Sequence, residues 1–381
     1  MSLLDLFNGV NGEFVRVALI IPISVLMWLL SLQLHAKRKK KSYAMLSKIS
    51  FGYMIFNVVS FILLLIAAVT STELSWLVKA INAVSNSSLL VILFGFYRIH
   101  NKADIKTYIL FFLPAAVCFF TGTFSIWAGS ALSAISVLGI TILFGKRISR
   151  GKSVWLSTGI FVFALLCSLL ADLIPAISGG MNLIYSLLAP AAYVVLFATL
   201  MDHSLVIMQS SYVSAITDPL TGLFNRRYFM KYITKCVDQN IPVHIIFTDI
   251  DNFKKLNDTK GHKVGDGVLK EVATILMEEV DGLGIAGRYG GEEMVMLILN
   301  EDVDMVELTE RMRRRIEQES MVTASIGYKI FESGLPPEVL IKQADEAMYN
   351  AKQTGKNKVM EYGGGSQALI KPEALKVVSN A

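Results

Sequence analysis

Asp249 and Asp251 close a run of apolar residues, 243–250, that reads as a buried strand. Their i, i+2 spacing turns both carboxylates to one face, and either can reach a metal from there. Farther along, Arg288-Tyr289-Gly290-Gly291-Glu292-Glu293-Met294 sets two glycines and two carboxylates between apolar segments, 284–286 and 294–299, which is the pattern of a tight β-hairpin. Glycine there permits φ > 0 and leaves room for a ligand or another backbone. Carboxylates at the mouth of a buried strand are costly unless a cation meets them. Convergence of Asp249 with Glu292 would be strongly unfavourable without a divalent cation between them. Hard oxygen ligands point to magnesium, and magnesium usually brings substrate phosphates. On residue chemistry alone, the reading is metal-assisted nucleotide chemistry.

The elements that must position these groups are legible around them. Asp218-Pro219-Leu220-Thr221-Gly222-Leu223 is a turn that stops a preceding helix. A helix is expected over 225–237, then a break at Asn240-Ile241-Pro242, then the strand, whose His244 reads as structural. A short helix over 252–258, a glycine turn at 261–265 and a long helix over about 266–280 lead to the hairpin. Cys118, Cys167 and Cys236 are widely separated, so neither a disulfide framework nor a metal-ligand spacing is present.

The separated strings 218–227, 249–254, Asn257-Asp258, Gly261-His262, Gly265-Asp266 and 288–293, followed by Ser325-Ile326-Gly327, 345–352 and Gly355-Lys356-Asn357, resemble the GGDEF family of diguanylate cyclases, in order and at family spacing. The resemblance covers about residues 216–361 and implies an α+β, ferredoxin-like palm of the nucleotidyl cyclase kind. It also implies site residues. Asp249, the Ile250 carbonyl and Glu292 would hold magnesium, with manganese as an alternative. Glu292 would help deprotonate a 3′-hydroxyl, and Glu293 would be a supporting acid. Asn257 and Asp266 would hydrogen-bond guanine. Lys254, Lys352 and Lys356, with main-chain amides near Asn252 and Phe253, would neutralise the triphosphate. The implied partners are GTP and a second copy of the domain, since two domains must meet face to face to make cyclic di-GMP.

Three positions depart from the commonest family pattern. Glu292 stands where Asp is frequent, and the carboxylate is kept. Met294 replaces a usual Phe and should pack inward. Lys356 replaces an arginine, so a point charge takes the place of a fork. The Arg-x-x-Asp of an inhibitory product site is absent, because Asp281-Gly282-Leu283-Gly284 occupy its positions. Arg313-Arg314-Arg315 read as an exposed helix face rather than a substitute.

The first half is of another kind. The chain has 381 residues and is 53% hydrophobic, with the apolar residues crowded before about residue 201. Spans are expected at 14–34, 50–69, 76–97, 107–123, 127–145, 153–175 and 182–201, an all-α transmembrane bundle. The charge following 14–34 marks a retained span rather than a signal peptide. Basic residues cluster at 37–48, at Arg98, Lys102 and Lys106, and at Lys146, Arg147, Arg150 and Lys152, whereas the alternate loops at 71–73, 121–123 and 178–180 have almost none. The positive-inside rule then puts the N-terminus outside the cell membrane and the second half in the cytoplasm. The net charge of +5 is read as topology, not nucleic-acid binding. Trp76, Trp127 and Trp155 fall at span boundaries. Lys79, Asn82 and Asn86 share one face of the third span, and Asp172 lies at similar depth on the sixth. They either line a pocket for a sensory ligand or, as is preferred here, only snorkel and hydrogen-bond neighbouring helices.

The expected organisation is a membrane sensor at 1–201, a signalling helix at 202–217 with a weak apolar stripe (Leu205, Met208, Tyr212, Ile216), a GGDEF domain at 218–362 and a tail at 363–381. The functional expectation is a membrane-bound diguanylate cyclase adjusted by its bundle. The alternative is a non-catalytic GTP-binding receptor. A transporter with a regulatory domain is disfavoured, since inverted repeats are not evident.

Overall fold

The computed structural model describes residues 9–70, 75–148, 152–299 and 302–363. The loop at 71–73, Arg150 and the tail beyond Gly363 lie outside them. The chain divides into two compact units, Met1–Met208 and Gln209–Ala381.

The first unit is helical: α1 (Gly9–Arg38), α2 (Lys41–Thr70), α3 (Ser75–His100), α4 (Ile105–Phe124), α5 (Ile126–Ile148), α6 (Ser153–Leu173) and α7 (Ser178–Ile216). All seven are long and apolar enough to cross a membrane, and each begins and ends around one expected span, except that α6 stops two residues short at a 3-10 turn, Pro175–Ile177. Only Ser125 separates α4 from α5, where Gly122 and Gly129 touch backbone to backbone. The outer surface is apolar, with Phe124, Ile135 and Leu143 all well exposed, a surface that water disfavours.

Polar groups inside this unit hydrogen-bond between helices. Asn82 Oδ1 accepts from Arg16 Nη2 at 2.7 Å and from Tyr185 Oη at 3.3 Å. Asn86 accepts from the same hydroxyl at 2.8 Å and donates to Ser130 Oγ at 3.2 Å. Asp172 is exposed and makes no ion pair with Lys79 among the described residues. The charged pair that the core does hold, Arg16 with Glu13, was not read from the sequence. It sits at the edge of an apolar run, and only folding buries it.

The second unit follows with β1 (Phe224–Asn225), α8 (Arg226–Asp238), β2 (His244–Ile250), α9 (Phe253–Lys260), α10 (His262–Glu279), β3 (Gly284–Gly290), β4 (Glu293–Ile298), α11 (Met305–Glu319), β5 (Ala324–Lys329), α12 (Pro337–Gln353) and β6 (Val359–Glu361). The sheet order is β1-β3-β4-β2-β5-β6. Its middle four strands are antiparallel and, with α9–α10 and α11 as crossovers, form the ferredoxin-like βαββαβ frame. Period-two alternation sorts the core. Ile246, Ile250, Met294, Met296 and Ile298 face α10 and α11, while Ile245, Phe247, Val295 and Leu297 face α8 and α12. Met294 is 1% exposed, packed inward as its position requires. His244 is structural: its Nδ1 accepts from the Phe331 amide at 3.0 Å.

Two expectations need correction. The long helix begins at His262 rather than near 266, because Gly261 alone, at φ +84°, separates α9 from α10. Arg313 is not on an exposed face. It is buried, forked onto Glu310 and bonded to Glu317 and Asn357, while Arg315 joins α11 to Glu278 and Glu279 of α10. Burial of a guanidinium is tolerated here because carboxylates meet its donors.

Candidate active site

The β3–β4 connection turns at Gly291 and Glu292, with Gly290 paired to Glu293 and a register shift just before, between Arg288 and Gly290. Gly291 has φ +21°, where a side chain would be strained. Arg288 clamps this turn from below. Its Nε and Nη2 donate to the Gly291 carbonyl at 3.0 and 2.7 Å, and its Nη1 reaches both Asp218 oxygens at 3.1 and 3.2 Å. Asp218 also accepts from the Thr221 amide and hydroxyl, at 2.9 and 2.8 Å. Burial pushes the Asp218 carboxyl up, but the Thr221 and Arg288 hydrogen bonds together outweigh it and hold the carboxyl below its ordinary value. The turn that ends α7 is thus wired to the hairpin. Sequence reading marked both ends of this link as motif residues but did not join them; an arginine inside an apolar strand was the available signal.

The acids meet across the sheet. Register places Asp249 of β2 directly opposite Glu293 of β4, so both side chains lie on the α12 face, and half-buried Glu292 stands just before, in the turn. From α12, Lys352 Nζ lies 2.6 Å from Asp249 Oδ1. Burial raises the Asp249 carboxyl above its ordinary value; Lys352 opposes the rise, and Glu292 and Asp251 add to it. Burial likewise raises Glu293, with Asp249 and Asp345 contributing. Asp251, two residues on, is committed elsewhere. It accepts from Thr323 Oγ1 and Ser325 Oγ at 2.7 Å each and from the Asn357 amide at 3.0 Å. Of the two strand-end acids, Asp249 alone is therefore left for a cation.

Carboxylate oxygens such as those gathered here are the donors that a hard divalent ion takes. The ammonium of Lys352 already stands against the Asp249 carboxylate, and Glu292 and Glu293 add negative charge beside it. Among the described residues no group of three or more His, Cys, Asp or Glu side chains is placed to hold a metal ion by itself. An ion here would keep positions open for substrate oxygens. Ile250, the third expected ligand through its carbonyl, is the buried last residue of β2.

Beside the acids, Asn252 takes a left-handed conformation, φ 55°, and starts α9 with no side-chain cap. The first-turn amides after it have no intrahelical partners, a standard setting for phosphate oxygens. Phe253 is buried and anchors the turn, Lys254 is exposed in it, and Lys356 Nζ donates to Asn252 Oδ1 at 2.6 Å. In the second turn of α9, Asn257 Oδ1 is buried against Gly265 of α10 without a hydrogen-bond partner among the described residues. A Cβ at Gly265 would collide with it. Asp266, the next residue, is exposed. The fold thus joins Asp249, Glu292, Glu293 and Lys352, and separately Asn252 with Lys356. Lys254 and Asp266 are bonded to none of these.

The family described as "Diguanylate cyclase, GGDEF domain" matches residues 215–358. Residues 215–358 are a GGDEF domain. Among similar proteins, "Probable diguanylate cyclase DgcT" of Escherichia coli (strain K12) is 39% identical over 157 residues, which covers 38% of this chain and 35% of that protein. "Response regulator PleD" of Caulobacter vibrioides (strain NA1000 / CB15N) is 38% identical over 176 residues, covering 42% and 37%. The chain thus spans little more than a third of the length of these relatives. The crystal structure of the GGDEF domain of DgcB from Caulobacter crescentus in complex with c-di-GMP is similar at 28% identity and a TM-score of 0.37, covering 39% of this chain and 96% of that one. Within the GGDEF domain of this chain, the hairpin acids, Asp249 and Lys352 are the residues in mutual contact or electrostatic reach.

Proposed function

We propose that this chain is a membrane-bound diguanylate cyclase: its GGDEF domains pair and condense two GTP into cyclic di-GMP and two pyrophosphates. The observation that carries the reading is the Asp249–Glu293 register with Glu292 in the adjoining turn, which gathers three carboxylates beside one ammonium. Asp249, the Ile250 carbonyl and Glu292 would hold magnesium, which when bound would neutralise charge on the triphosphate oxygens. The uncapped start of α9 at Asn252 and Phe253, with Lys254 and Lys356, receives the phosphates. Lys352 shifts its ammonium from Asp249 to the triphosphate as substrate enters. Asn257 and Asp266 hold the guanine edge.

Glu292 takes the proton of the 3′-hydroxyl, and Glu293 supports it from β4. The freed 3′-oxygen forms a bond to the α-phosphorus of the GTP on the partner domain, the bond from that phosphorus to the bridging oxygen breaks, and pyrophosphate leaves with the electron pair. A second such attack, with the roles of the two nucleotides exchanged, closes the ring and releases the second pyrophosphate. One domain supplies only half of this geometry, so dimer formation belongs to the reaction.

The seven apolar helices support insertion in the cell membrane, and the basic clusters support an outer N-terminus and a cytoplasmic GGDEF domain. In this reading α7, continuous from Ser178 to Ile216, transmits the state of the bundle. The test is the full chain in detergent, incubated with GTP and magnesium, wild type against Glu292→Ala. Cyclic di-GMP from the wild type, and at least about a hundredfold less from the variant, is expected for loss of a proton-accepting group. GTP binding with no product from the wild type would replace this reading with that of a GTP receptor.

A further inference from the structure

At the end of the helical unit opposite the Arg16–Glu13 pair, a cavity of about 740 Å³ opens between the ends of α3 and α5, the start of α6 and the flank of α7. Its polar lining is rich in basic side chains. Lys146 and Arg147 come from the last turn of α5, His100 from the last turn of α3 and His203 from α7, against a single acid, Asp202. Neither Lys146 nor Arg147 is ion-paired with a carboxylate among the described residues. Ser153 contributes the first residue of α6, a helix whose preceding residue, Lys152, provides no side-chain cap.

The walls are held in place from behind. Asn101 Nδ2 donates to the Arg147 carbonyl at 2.7 Å and ties α3 to α5. His203 Nε2 is hydrogen-bonded to Tyr43 Oη at 3.0 Å, and its ring packs edge-on against that of His100, with centroids 5.0 Å apart. The remaining lining is apolar, Phe96 and Val206 among it. A guanidinium fork, an ammonium, two imidazoles and the free amides of a helix start together match an oxyanion with several acceptor oxygens. The acid on the rim suits a hydroxyl on the same ligand, and the apolar wall suits a hydrocarbon portion.

We propose that this cavity binds a phosphate-bearing ligand, supplied either by the headgroup of an anionic phospholipid or by a soluble phosphate compound. Its location on α7, from Thr199 to Val206, sets it on the helix that continues to Ile216. The binding itself does not depend on cyclase activity.

The test is native mass spectrometry of the full chain in neutral detergent, with short-chain phosphatidylglycerol, short-chain phosphatidylcholine or inorganic pyrophosphate added. One phosphatidylglycerol or one pyrophosphate held per chain, in preference to phosphatidylcholine, is expected, and the preferred probe identifies the source. Lys146→Gln with Arg147→Gln weakens that binding at least about tenfold, as loss of charge-assisted hydrogen bonds requires. Lys102→Gln with Lys106→Gln, basic residues outside the cavity, leaves it unchanged. Arg147→Lys, which keeps the charge and the fold, gives an intermediate loss. Equal binding by all variants, equal loss in the Lys102/Lys106 variant, or no preference of either phosphate probe over phosphatidylcholine overturns the proposal.

Discussion

Gly265→Ala is the substitution whose outcome most directly tests the proposed guanine subsite. Gly265 is in the N-terminal part of α10, yet it faces α9: a Cβ there would overlap Asn257 Oδ1 and come 3.2 Å from the Phe253 ring. The Asn257 oxygen is buried with no hydrogen-bond partner among the described residues, so in the proposed site it accepts from a guanine donor. Alanine forces that side chain away. The lost hydrogen bond and the donor left unpaired cost about 1–3 kcal/mol, equivalent to a rise in KM for GTP of roughly five- to a hundredfold. Alanine is also the better helix former by about 1 kcal/mol, which offsets the local rearrangement, so the melting temperature should change little. The assay is steady-state product formation with GTP and with ITP, which lacks the 2-amino donor, alongside thermal melting. Asn257→Ala should raise KM for GTP similarly, and the double variant should be no worse than either single one. An unchanged KM in Gly265→Ala with intact folding, or additive effects in the double variant, would refute the reasoning.

Asp218→Asn should weaken the Arg288 clamp on Gly291 and slow turnover several-fold, while GTP binding by equilibrium dialysis stays close to wild type. It should also flatten the acid limb of stability. The native Asp218 carboxyl is held below the ordinary 3.8, so its contribution is present above that pH and is lost as pH falls through the native value; urea titrations of both proteins from neutral to acid pH would compare this, and parallel curves would count against it. Asp251→Ala removes an acceptor of three hydrogen bonds, one buried and two part-buried, and should cost about 2–3 kcal/mol in denaturant unfolding. Met294→Ala, in the tightly filled face toward α10 and α11, should cost about 2–5 kcal/mol by the same measurement.

Much of the active site was legible because its chemistry is local. The i, i+2 acids, the glycine pair followed by two carboxylates, and the glycine break before α10 each declare themselves within a few residues. So do the seven apolar runs, since a span is a matter of length and composition. What stayed hidden depends on partners distant in the chain. Asp249 and Asp251 are alike in sequence. Thr323, Ser325 and Asn357 claim the second and leave the first for a cation. The contact of the Lys352 ammonium with Asp249 arises only when α12 packs on the sheet.

The sequence by itself determined a helical, span-forming first half, a GGDEF domain in the second, and a set of candidate residues for chemistry, because periodicity, turn residues and motif spacing are properties of neighbours along the chain. Tertiary structure alone decided which groups are free. It fixed the antiparallel register that faces Asp249 to Glu293, buried Arg313 among carboxylates, tied Asp218 through Arg288 to the hairpin, and placed Arg16 with Asn82 inside the helical unit. Each of these joins residues tens of positions apart, or buries a charge that looked exposed. Burial and pairing are decided by what packs against a residue, and no local pattern carries that information.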